Sequence, residues 1–249
     1  MANESELTLN YLKAAAEEWR SLEADGAHIP LTDVFVLLEA LERPKPRPTE
    51  STPDLAALEE RLEHAGVEPP LPPLARRVGE EGKGPVSLSQ ALREARHLVL
   101  LGEPGAGKTT TLQYIALWFA TRATGQPDGL RADLGIDEPC VPVRLDLRVL
   151  AQKLPASRAA LEEALAREVD GFLREGLEVA LKLVRQWRDS GLLLPLLDGL
   201  DEVAPEQQEE VRKEIFRFAI SSEGSKCRVV VASRIAGYAP WVAISRSSS

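Results

Sequence analysis

The chain has 249 residues, of which 44% are hydrophobic and 28% charged, which is enough for one large domain or one domain with a smaller companion. Its formal net charge of -9 and pI of about 5.1 exclude a bulk attraction for DNA, RNA or anionic lipid, while leaving local phosphate binding by backbone N–H groups open. Its two cysteines, Cys140 and Cys227, make no disulfide framework or zinc-ligand spacing and read as buried thiols. The acidic start, Met1–Glu6, is no secretory signal, and the longest apolar runs, Ile115–Ala120 and Leu192–Leu197, are too short to span a bilayer. A cytoplasmic protein is expected.

In chain order, residues 4–24 have the spacing of an amphipathic helix, with Leu12, Ala15, Ala16, Trp19 and Leu22 on one side. Ile29-Pro30-Leu31 breaks it. Thr32–Leu41 is apolar and fits a short strand or a helix equally. Nine of the 18 prolines then fall between Pro44 and Pro85, which predicts an extended connector interrupted by one short helix over Pro53–Ala65. From Val86 the pattern becomes α/β. Helices are predicted at Ser89–Ala95, Gly107–Thr121, Ala159–Val169, Leu173–Asp189 and Glu206–Ser221. Strands are predicted at His97–Leu101, Cys140–Leu147, Leu192–Leu197 and Cys227–Ala232. The chain thus divides into a helical N-terminal region (1–43), a proline-rich connector (44–85) and an α/β domain (86–249). Alternating strands and helices imply a parallel sheet covered by helices on both faces.

Between the first strand of that domain and its helix lies Gly102-Glu103-Pro104-Gly105-Ala106-Gly107-Lys108-Thr109, an ungapped G-x-x-x-x-G-K-[ST] phosphate loop. Gly102, Gly105 and Gly107 let the backbone take left-handed turns and approach oxygen atoms. The run of N–H groups and the helix N-terminus behind it form a nest for phosphates. Lys108 supplies a compact charge to the β- and γ-phosphates, and Thr109 a hydroxyl to magnesium. Pro104 stiffens the loop. Glu103, an acid in an anion site, is expected to point away from it.

Leu192–Leu197 is an apolar strand that ends in Asp198, followed by Gly199-Leu200-Asp201-Glu202. Ligands of α/β sheets bind beyond the carboxyl ends of the strands, so Asp198 can share a site with the loop and hold magnesium there. Asp201 or Glu202 would orient the attacking water, and spacing does not choose between them. The bland alternative is a solvated turn before a helix. Pro195 lacks a ladder donor and predicts a bulge or weakened pairing. The last strand ends in Ser233-Arg234, which the same rule brings near the nucleotide. There Arg234 can report a γ-phosphate, or be a surface arginine at a strand end.

Together, GEPGAGKTT (Gly102–Thr110), LLLPLLDGLDE (Leu192–Glu202) and CRVVVASR (Cys227–Arg234) resemble the phosphate loop, second motif and sensor strand of NACHT-type ATPases of the STAND class. The resemblance covers residues 86–237, with a looser likeness before it. It implies a P-loop NTPase fold, ATP with Mg2+ as ligand, ADP as product and a slow hydrolytic switch that self-associates or meets a signalling partner, in some bacterial members for defence. It favours Glu202 over Asp201 for the water. That module normally continues into another strand, a helical lid and a winged helix. The tail Trp241–Ser249 has no such pattern, so the front of a longer protein is expected, with weaker binding and an unpaired sheet edge. The chain has no Leu-Ser-Gly-Gly signature of a transporter ATPase and no Asn-Lys-x-Asp of a GTPase. The competing expectation is a non-catalytic interaction fragment, its partner bound by residues 1–43 and its nucleotide site vestigial.

Overall fold

The structure, a computed structural model, describes residues 3–24, 27–31, 39–40, 86–126, 133–152, 154 and 160–234. All of the proline-rich connector with its helix at 53–65, most of the 32–41 run and the 241–249 tail lie outside the described residues.

Helix α1 (Glu4–Trp19) starts on Asn3, whose side chain accepts from Ser5 N–H, with Glu4 and Glu6 favourably placed in its first turn. It ends five residues earlier than the amphipathic pattern predicts. Strands β1 (Ser21–Ala24) and β2 (Ala27–Pro30) form an antiparallel hairpin instead, with Ala24 paired to Ala27. The residues between them in sequence, Asp25-Gly26, are a two-residue hairpin signal stronger than the fading helical periodicity. A two-residue ladder joins β3 (Glu39–Ala40) to β4 (Val86–Ser87). Helix α2 (Leu88–Glu94) follows, capped by Ser87.

The domain proper runs β5 (His97–Leu101), α3 (Lys108–Thr124), β6 (Val141–Asp146), α4 (Leu147–Ala151), α5 (Ala160–Leu173), α6 (Leu177–Asp189), β7 (Leu193–Asp198), α7 (Pro205–Ile220) and β8 (Val229–Ser233). The predicted second long helix begins at Leu177 rather than Leu173. Arg174 and Gly176 take positive φ, 57° and 97°, and the Asp170 carboxylate accepts from Gly176 N–H, which fixes the break.

The four strands β5–β8 form one all-parallel sheet in the order β5-β8-β7-β6. Right-handed crossovers between parallel strands put α3 on one face and α5, α6 and α7 on the other. Every residue of α3 from Thr111 to Thr121 is buried, because the helix lies between the sheet and α1. Cys140 and Cys227 are buried and unbridged, and burial pushes their thiols up to about 12 and about 11, so neither is a ready thiolate. Among the described residues no helix is long and apolar enough to cross a membrane.

Two prolines show how the sheet tolerates missing donors. The Leu192 carbonyl accepts from Val141 N–H at 2.7 Å, so residues 192, 194 and 196 bond toward β6 and Pro195 faces β8. The ladder to β6 is therefore complete through Pro195 with no bulge, and the ladder to β8 begins only at Leu196. By the same alternation Pro142 faces outward from β6, an end strand of the sheet, where a proline costs no ladder bond. Its outward carbonyl is not left bare. The fully buried Tyr11 of α1 donates its hydroxyl to it at 2.8 Å. Tyr11 also stacks edge-on with Phe172 of α5 at 5.6 Å and lies 5.5 Å from the Trp187 ring of α6. Helix α1 thereby seals the β6 side of the sheet.

Tyr11→Phe keeps the ring and strands the buried Pro142 carbonyl. The expected loss is about 1–3 kcal/mol, read as a lower urea midpoint with an unchanged slope. An unshifted midpoint would mean that the hydroxyl contributes nothing to this seal.

Candidate functional site

Because all four strands are parallel, their carboxyl ends lie on one side of the domain. The register places the individual residues. Leu101 pairs with Ser233, Leu197 with Val231, and Asp146 with Asp198. Strand β8 sits between the strand feeding the phosphate loop and the strand ending in Asp198, so Ser233-Arg234 emerges between the two.

The loop itself is stitched to that neighbour: Gly102 N–H donates to the Ser233 carbonyl at 3.3 Å. Gly105 and Gly107 both take φ of 75°, the left-handed conformation for which glycine was expected. Gly107 is the N-cap of α3, and no side chain caps the helix there. The first N–H groups of a buried helix thus open onto the loop, where an anion is favoured. The Lys108 ammonium is folded across the loop and donates to the carbonyls of Gly102 at 2.8 Å and Glu103 at 3.0 Å. Glu103, Pro104, Gly105, Ala106 and Thr109 are exposed, and Thr110 is half-buried. Glu103 contributes its backbone carbonyl to the lysine, and the residue is exposed.

At the end of β7 the acids have separate surroundings. Asp198 is half-buried and, among the described residues, has no ion pair. Gly199, at φ of 76°, turns the chain into a short 3-10 segment, Leu200–Glu202. Asp201 has a side chain only 8% exposed, and Arg234 engages both its oxygens: the Arg234 backbone N–H donates to Oδ1 at 2.8 Å and Nε lies 2.8 Å from Oδ2. Asp201 therefore pins the end of β8. Glu202 points back over the turn, with its carboxylate carbon 3.5 Å from where a Cβ on Gly199 would stand. A side chain at position 199 would be disfavoured by the positive φ, while its Cβ would only reach ordinary contact distance of that carboxylate.

Three residues at this edge escaped the sequence reading. Asp146 ends β6 level with Asp198, caps α4 by accepting from Arg148 N–H at 2.8 Å and takes two bonds from Arg148 Nε at 3.0 and 2.9 Å. Burial pulls the Asp146 carboxyl upward, but the bonds from Arg148 outweigh it and hold the group below the usual carboxylate range. Arg148 also reaches Glu202, its Nη1 lying 3.3 Å from Oε2. Gln113, one turn past Lys108 on α3, donates to the carbonyls of Trp19 and Ser21 at 3.0 and 2.8 Å and accepts from Arg144 Nη1 of β6 at 3.2 Å. Burial lowers the Arg144 guanidinium, with Asp198 among the acids that oppose the shift. The strand-end rule that singled out Asp198 applies equally to the Cys140–Leu147 run and would have flagged Asp146. Gln113 carried no sequence signal, since a glutamine in a helix is unremarkable until its neighbours are known.

Compared with known proteins, the chain matches no family model, no curated protein and no solved structure. The chemistry at this edge is consequently read from its geometry: an uncapped helix N-terminus behind left-handed glycines, the Lys108 ammonium held by two neutral carbonyls, the Asp198 carboxylate without an ion pair among the described residues, and two arginines each committed to acids.

Asp201→Ala removes both anchors of Arg234. Loss of two bonds to a charged acceptor is expected to cost about 2–4 kcal/mol, measured as the urea midpoint. If the midpoint holds, the clasp is not part of what keeps β8 in place.

Proposed function

We propose that this chain is a nucleotide-binding domain of the NACHT type in the STAND class, taking Mg-ATP at the carboxyl edge of its sheet and hydrolysing it slowly to ADP. The observation that carries this reading is the convergence of the loop, Asp198 and Arg234 on one edge, with β8 threaded between the first two. The residues fit the ligand. The N-terminus of α3 and the N–H groups from Gly102 to Thr110 can accept the phosphates, and Lys108 can exchange two neutral carbonyls for charged oxygens. Magnesium takes one or two protein oxygens and the phosphates rather than a protein cage. Thr109 and Asp198 are that kind of donor pair. When bound, the ion would neutralise charge developing on the phosphates.

Of the two acids after Gly199, Glu202 is the better water-orienting group. Asp201 has both oxygens turned to Arg234, whereas Glu202 is exposed beside Asp198 and has Oε1 without a partner among the described residues. In hydrolysis the water oxygen bonds to the γ-phosphorus as the bridging bond to ADP breaks. The bridging electron pair leaves with ADP, and the water proton passes to Glu202. Arg234, tied to Asp201 through its backbone N–H and Nε, would sense the γ-phosphate with its remaining guanidinium nitrogens. Switching by assembly with another copy or a signalling partner, a role in bacterial defence and a cytoplasmic location all extend from the same resemblance.

Calorimetry tests the core of this. Mg-ATP should bind the parent chain, and Lys108→Ala should weaken it about a hundredfold, equivalent to ~3 kcal/mol. No heat with ATP, ADP or GTP on folded protein would sink the reading and leave a non-catalytic interaction fragment. Glu202→Gln should lower phosphate release about a hundredfold, with ATP still bound; release at the parent rate would remove Glu202 from the mechanism.

A further inference from the structure

Arg148, in the first turn of α4 just past the end of β6, belongs to no motif, yet it joins an acid at the end of β6 to one beyond the end of β7. Asp146 grips the Arg148 backbone and guanidinium together, through Oδ1 to N–H at 2.8 Å and through both oxygens to Nε. That grip fixes the base of the guanidinium to the end of a parallel strand. Its free arm, Nη1, then meets Glu202 Oε2 at 3.3 Å. Glu202 stands on a three-residue 3-10 segment after a left-handed glycine, and its side chain is 44% exposed, so the backbone alone does little to hold its carboxylate in one place. A chain of contacts therefore runs from β6 through Asp146 and Arg148 to Glu202, level with Asp198.

Resting on the reading of Glu202 as the group that orients water, we infer that Arg148 is a positioning residue for hydrolysis: anchored by Asp146, it holds the Glu202 carboxylate in place over the end of β7. The role asks for no contact between Arg148 and the nucleotide or the attacking water. Its effect is to hold one oxygen of Glu202 so that the other keeps a fixed direction, and that effect acts on turnover rather than on affinity. A guanidinium suits the task better than an ammonium, because its planar fork serves two carboxylates at once.

The exposed side chain of Arg148 can be removed without opening the core, and its backbone N–H can still donate to the capping Asp146 carboxylate. Steady-state phosphate release and calorimetric ATP affinity on the same preparations separate the possibilities. Arg148→Ala should lower kcat about tenfold while KM and ATP affinity stay within about twofold. Arg148→Lys should recover only part of that loss. In the Glu202→Gln background, Arg148→Ala should lower kcat no further, since the group it positions is already gone. An unchanged kcat in Arg148→Ala, or a further tenfold loss in the double variant, overturns the inference while leaving ATP binding intact. So does a parent chain that binds ATP but releases no phosphate. A parent chain that binds no nucleotide overturns the functional reading as well.

Discussion

Everything at the candidate site depends on the parallel sense of the four strands. An antiparallel neighbour would send its carboxyl end to the far side of the domain. With all strands parallel, the loop after β5, Asp146, Asp198 and Arg234 arrive at one edge without a long connection. Strand order adds the second constraint. Inserting β8 between β5 and β7 puts the Arg234 backbone next to the loop through Gly102 and next to the second motif through Asp201. The three motifs are thus mechanically connected, and the connector is a main chain.

A parallel sheet must be covered on its faces and protected at its sides, and the N-terminal residues contribute to both. Helix α1 closes the β6 side with Tyr11 and lies over α3, the helix whose N-terminus faces the loop. Its buried side chains Leu7, Tyr11, Leu12 and Trp19 are part of the same continuous core as the sheet. Gln113 makes the connection specific. Its amide satisfies two carbonyls where α1 gives way to β1 and accepts from Arg144 under the sheet face. Leaving any of these buried groups unpaired would cost free energy comparable to a lost hydrogen bond. The register of α1 on α3 is therefore set by polar pairing, while apolar burial supplies the driving force.

The α/β pattern was legible because each strand is an apolar run and each helix has an apolar face. The strand positions shifted by only a residue or two against the structure. The backbone of the loop after β5 was legible because left-handed turns call for glycine, and Gly105 and Gly107 do take positive φ. The hairpin at 21–30 was overlooked because helical spacing carries on weakly past Trp19, and a two-residue turn signal is easily outvoted by a longer window. The pairing of Asp201 with Arg234 could not be read at all. The two are 33 positions apart, and their contact exists only because β7 and β8 are adjacent. Local sequence establishes which residue types are available at a strand end; the strand order decides which of them meet.

That pairing separates the acids by task. Four carboxylates crowd this edge: Asp146, Asp198, Asp201 and Glu202. Placed together without compensation they would repel one another and raise the cost of keeping each ionised. Arg148 answers Asp146 and Glu202, and Arg234 answers Asp201. Asp198 is the one left without an ion pair among the described residues, although it lies level with Asp146 in the sheet. If arginine had served all four, a metal would have to displace an existing ion pair before it could bind. On the proposed reading, with three committed and one unpaired, Asp198 at the end of β7 is the carboxylate that a divalent ion accompanying the nucleotide would meet without first displacing an ion pair.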